Sequence, residues 1–139
     1  MNEIMKQLIF HGSIILLLGL IAGAPYGRAI LKKRSADTVH IWRMAHLALP
    51  IAAILLFAIA SFLNFLEVSS QTLWLVAILF IVSSYAFGFA MFVGAPSGER
   101  GLTFRGSAVA KVAHVGHMVG VLTSLVAAIV LVYAAWVTL

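Results

Sequence analysis

Four apolar stretches, each long enough to cross a bilayer, follow one another with only short links between them. A span needs about 20 mostly apolar residues. By that measure the spans run over about residues 8–31, 42–65, 73–95 and 108–139. The links, 32–41, 66–72 and 96–107, leave no room for a soluble domain, and short links make consecutive helices antiparallel neighbours. The expected fold is therefore all-α, a single-domain integral membrane antiparallel four-helix bundle. Composition agrees: 63% of residues are hydrophobic and 9% charged, against about half and about a quarter in soluble domains. So much apolar surface cannot be hidden inside one small core, and a lipid bilayer is the expected partner.

Charge sets the expected orientation. Arg28, Lys32, Lys33, Arg34 and Arg43 surround the first link, and Arg100, Arg105 and Lys111 the third, while Lys6 alone lies on the other side. The positive-inside rule then places both basic links in the cytoplasm and both termini outside, as in a bacterial inner membrane. The net charge of +5 is explained by this asymmetry, so no nucleic-acid partner is expected. With no cysteine in the chain, disulfides, thiolate nucleophiles, iron–sulfur ligation and thiolate-bound haem are excluded. Ala22-Gly23-Ala24 has the look of a leader-cleavage site. Glu3 beside Lys6, and Pro25 just after the cut, argue instead for a retained first span.

The histidines are where chemistry enters. His40 and His46 open the second span and His114 and His117 the fourth, all on the basic side; only His11 lies near the other. A histidine inside a membrane helix is costly unless its ring nitrogens are occupied. His46 is also followed four positions on by Pro50, which removes the backbone hydrogen bond to the His46 carbonyl and favours a local kink. His114 and His117 project roughly 60° apart around a helix and could share a ligand. Asp37 and Glu99 are the only acids on this side, so a two-metal hydrolytic site is disfavoured. A zinc site from His46, His114 and His117 stays open. So does a haem, which needs one neutral histidine, apolar walls and cations near its propionates; His46 with Arg43, Arg100 and Arg105 meets that description. The plain alternative is interfacial histidines bonded to backbone, water or headgroups.

Gly19 and Gly23, like Gly116 and Gly120, have the small-xxx-small spacing that serves contacts between subunits or close packing within one bundle. Ser83, Ser84 and Tyr85 lie midway along the third span. A tyrosine at membrane depth wants a hydroxyl partner, either a substrate or a neighbouring helix carbonyl. No Ser/His/Asp arrangement, phosphate-binding glycine loop or pair of membrane-embedded carboxylates appears, so hydrolysis and proton-coupled transport have little support.

Trp42-x-x-Ala45-His46 resembles the second-helix motif of the styrene oxide isomerase family, and Arg100-Gly101-Leu102-Thr103-Phe104 resembles that family's loop after the third helix, at the expected separation. His11-Gly12 is similar as well. Hydroxylaminobenzene mutases look like more distant relatives. The resemblance spans roughly residues 8–105, and the fourth span matches poorly.

The resemblance implies a small four-helix membrane enzyme assembled as a homotrimer, with haem b between subunits and His46 ligating the iron. Ferric iron then acts as a Lewis acid on an epoxide oxygen, and the ring opens with a shift to give an aldehyde. Trp42, Arg43, Arg100, His114 and His117 are the candidates for the haem surroundings. The chain departs from the family where substrate is held. Ala52 stands at the asparagine position, Met91 (or Ala90) at the tyrosine position, and Ser83 (or Val82) at the acidic one. Ala52 and Met91 are thus expected in a pocket for a small apolar substrate, with Tyr85 or Ser83 supplying a hydrogen bond. Two further readings stand beside the isomerase. One is a non-catalytic haem protein with His114 or His117 as second axial ligand; the other is a haem-free scaffold or transporter.

Overall fold

The computed structural model describes residues 2–139. Five helices make four spans: α1 (Glu3–Ile21) with α2 (Gly23–Leu31), α3 (Ala36–Phe62), α4 (Ser70–Gly94) and α5 (Ala108–Thr138). All four spans are long and apolar enough to cross a membrane, and no strand occurs among the described residues.

The helix starts follow local rules. Asn2 caps α1 by accepting from the Met5 amide at 3.0 Å. Ser35, Ser69 and Ser107 cap α3, α4 and α5 in the same way, each accepting from the amide three residues on. Each such cap contributes about 1 kcal/mol. The Ser35 cap explains why α3 starts six residues before the hydrophobic run: Asp37, Thr38 and His40 lower the hydropathy of its first turns without interrupting the helix. The first span divides at Ala22 because Pro25 has no N–H to offer the Ile21 carbonyl, and α1 ends at Ile21.

α1 packs mainly on α3, α4 mainly on α5, and smaller α3–α4 and α1–α4 contacts join the two pairs. The fully buried large side chains are Leu8, Ile15, Leu49, Leu56, Ile59 and Val76 of α1, α3 and α4, with Leu63 just past the end of α3. The residues α5 buries are all small: Ala110, Ala113, Gly116, Gly120, Ala127 and Ala134. Its large residues, such as Leu122, Ile129 and Trp136, stay exposed. In lipid no hydrophobic force drives large side chains inward, so a helix docks through whichever face allows close approach.

Candidate functional site

His46 lies in the seam between α3 and the α1–α2 break. Its Nδ1 is 2.9 Å from the Gly19 carbonyl oxygen. A carbonyl only accepts, so Nδ1 carries the proton and donates it, leaving Nε2 with a lone pair in the neutral ring. This is the arrangement that prepares a histidine for metal ligation, with the outer nitrogen orienting the ring. No buried polar side-chain atom among the described residues lacks a partner. Nε2 has no partner and is therefore accessible, on a ring that is otherwise half-buried.

Three neighbours shape the seam. Tyr26 stacks on the imidazole, with centroids 6.2 Å apart and planes at 28°. Gly23 faces the ring, and a Cβ there would lie 3.0 Å from Cε1 and 3.1 Å from Nδ1. Gly19 lies against Pro50, with no space for a Cβ between them. So the proline that frees the His46 carbonyl also presses α3 onto the turn of α1 whose carbonyl holds the His46 ring. Trp42, one turn away on α3, is half-buried and edge-on to Phe92 at 5.4 Å. It also walls a pocket of about 210 Å³ lined by Arg28, Lys32 and Arg34. None of these three cations has an acidic partner among the described residues.

The other sequence candidates divide over different faces. Ala52, Ser83, Met91 and His117 line one groove of about 490 Å³ between α3, α4 and α5. Its serines are committed elsewhere: Ser83 Oγ donates to the Gly120 carbonyl at 2.9 Å and Ser84 Oγ to the Phe80 carbonyl at 2.9 Å. Ser83 thus ties α4 to α5. Tyr85 lines a different groove, between α4 and α5, and its hydroxyl meets no helix carbonyl but His11 Nδ1 of α1, 3.0 Å away.

The segment Arg100–Phe104 works as a clasp. Arg100 Nε is 3.7 Å from Asp37 Oδ1 at the start of α3. The Gly101 carbonyl accepts from His114 Nδ1 at 3.0 Å, and the Phe104 ring lies 6.0 Å from that of His114. Gly101 has φ of 62°, and a Cβ on it would come within 2.7 Å of Ala113 Cβ and the His114 nitrogen; only glycine fits. His114 therefore holds the loop, while His117 lines the groove. Arg100 turns to Asp37, and Arg43 is exposed on α3. His46, His114 and His117 do not converge, and no group of three His, Cys, Asp or Glu suited to a metal occurs among the described residues. The three-histidine zinc site is not formed among the described residues.

Sequence reasoning missed three partnerships: Gly19 with His46, Tyr26 with His46, and His11 with Tyr85. The last joins residues 74 positions apart. The one local signal was Pro50, whose ring packs against Gly19, the residue whose carbonyl His46 meets.

Fold and site together define a class: an all-α, four-span membrane protein with histidine rings, His46 and His114, each oriented by a backbone carbonyl. Within that class the chain belongs to the styrene oxide isomerase family, whose sequence profile matches residues 4–136. The match extends through most of α5, beyond the residues where the motif resemblance ended. No curated protein matches the chain.

Proposed function

We propose that the protein is a haem b-dependent membrane isomerase acting on a small apolar epoxide or a similar oxygen-bearing compound. The observation that carries this reading is the His46 ring: Nδ1–H bonded to the Gly19 carbonyl, with Nε2 unpartnered and accessible. Membership of an isomerase family supports it. Haem b bound there would supply a Lewis-acidic ferric centre able to open an epoxide without net redox change. His46 would hold the iron, Gly19 would fix the ring orientation, and Arg28, Lys32 and Arg34 offer cations for the propionates beside Trp42. Arg100, paired with Asp37, is less suited to that role.

Ala52 and Met91 line a groove with apolar walls, suited to a small apolar substrate. From His46 to Ala52 the α-helix turns through roughly 600°, so the two side chains lie about 120° apart on α3. One chain therefore does not bring the His46 face and this groove to one ligand. A neighbouring copy does so in the homotrimer that the family resemblance implies. In a bacterial inner membrane the basic loops would face the cytoplasm.

The absorption spectrum of the detergent-purified protein tests the reading. A Soret band that disappears in His46→Ala, together with conversion of styrene oxide to phenylacetaldehyde by the parent protein, is the expected result. A preparation from haem-replete cells without Soret absorbance overturns it. The groove has a test of its own: Ala52→Asn with Met91→Tyr, which restores hydrogen-bonding groups, should raise turnover about tenfold, the value of ~1.4 kcal/mol in the barrier. The apolar residues at Ala52 and Met91 favour one second reading, a haem protein without isomerase chemistry. A Soret band with no product from any epoxide tried would select it.

A further inference from the structure

The pair His11–Tyr85 belongs to neither the His46 seam nor the groove of Ala52 and Met91. Its hydroxyl–Nδ1 distance is 3.0 Å, and the rings meet edge to face with centroids 5.6 Å apart. Tyr85 stands in the wall of a groove of about 710 Å³ between α4 and α5, within the usual size range of small-molecule sites, roughly 300–1,000 Å³. The rest of the wall is apolar, including Ile81, Val82, Phe89, Val115 and Val119, apart from Lys111 near the start of α5.

A phenol hydroxyl carries one donor and two acceptor positions. His11 uses one of them, and Tyr85 makes no other hydrogen bond. At membrane depth no bulk water meets the remainder. A lipid acyl chain filling the groove would offer nothing to that oxygen. An occupant with one polar atom satisfies it. The imidazole sets which kind: when Nδ1 accepts from the hydroxyl, the phenol oxygen is left to accept from a ligand, and when Nδ1–H donates, the Tyr85 proton is free to reach a ligand oxygen.

We propose that the α4–α5 groove is a binding site for a small, neutral, mostly apolar molecule bearing one hydrogen-bonding oxygen, which Tyr85 contacts and His11 positions. The site does not depend on what His46 holds.

The test uses the full-length protein in phosphatidylcholine nanodiscs, titrated with 4-fluorophenol and, separately, fluorobenzene, and followed by fluorine NMR. Saturable 4-fluorophenol binding is expected. Tyr85→Phe should weaken it about tenfold, the usual scale of one hydrogen bond in apolar surroundings, while leaving fluorobenzene binding unchanged. His11→Phe should weaken 4-fluorophenol binding in the same selective way. Val115→Trp, on an exposed position of the groove wall, should remove binding of both probes. Val137→Trp, exposed near the far end of α5, is the control and should change neither. Binding to Tyr85→Phe within twofold of the parent overturns the proposal. So does a signal that never saturates and matches empty nanodiscs, the result if the groove holds only lipid chains.

Discussion

Gly19 and Gly23 on one side of the bundle, and Gly116 and Gly120 on the other, have the same spacing, yet different groups press against them. On α1–α2 the neighbours are the Pro50 ring and the His46 imidazole. On α5 they are the Ala90 methyl group and the Phe87 ring, with Ser83 bonded to the Gly120 carbonyl nearby. Both pairs serve packing within one chain. The first contact sets a backbone carbonyl against the His46 ring and orients it; the second joins two helices. Small-residue spacing therefore reports close approach and says nothing about the chemistry of what approaches.

Paired substitutions test that difference most directly. Gly19→Ala places a Cβ against Pro50, 2.8 Å from its Cγ and 3.0 Å from Leu49 Cβ, in a rigid ring and a buried residue. Gly116→Ala places one 3.0 Å from Ala90 Cβ and 3.2 Å from the Ala86 carbonyl oxygen, where little can give. Overpacking of this kind costs about 1–3 kcal/mol, and SDS-titrated unfolding should show a loss of that order for both. Only Gly19→Ala should also weaken the Soret band, because only there does the displaced backbone carry the carbonyl that orients His46. Equal Soret loss in both variants would erase the distinction between the seams.

A smaller change sharpens it. Gly23→Ala touches only the edge of the imidazole, so stability should fall by less than about 1 kcal/mol while haem affinity, measured by competition with apomyoglobin, falls severalfold. Unchanged affinity would mean that the ring adjusts without consequence for ligation. Ser83→Ala should have the smallest effect. Hydrogen bonds between membrane helices average about 0.6 kcal/mol, so unfolding should shift by about that amount with the absorption spectrum unaltered. A spectral change would place Ser83 in contact with the ligand and not merely in the α4–α5 tie.

Much of this molecule is legible locally. Spans follow from the length of apolar runs, while the capped starts of α3 and α4 and the break at Ala22 emerge in the structure. His46 stands out as a polar residue at membrane depth ahead of a proline. Tyr85 and Ser83 are equally visible as polar residues at depth, but their partners are not. Two residues apart on α4 is about 200° of rotation, so the two side chains face different grooves. His114 and His117, expected as a pair, are likewise divided between the Gly101 carbonyl and the groove.

The sequence by itself determined the number of spans, the charge asymmetry and the candidate ligand, because each depends on residues adjacent in the chain. The tertiary structure alone decided which side chains meet. In water an apolar stripe announces the inward face of a helix. Here α4 and α5 are apolar on every side, and lipid accepts a leucine as readily as protein does. Helix rotation is then settled by the few places where backbones come close, and those places give His46 to Gly19, Tyr85 to His11 and Ser83 to Gly120.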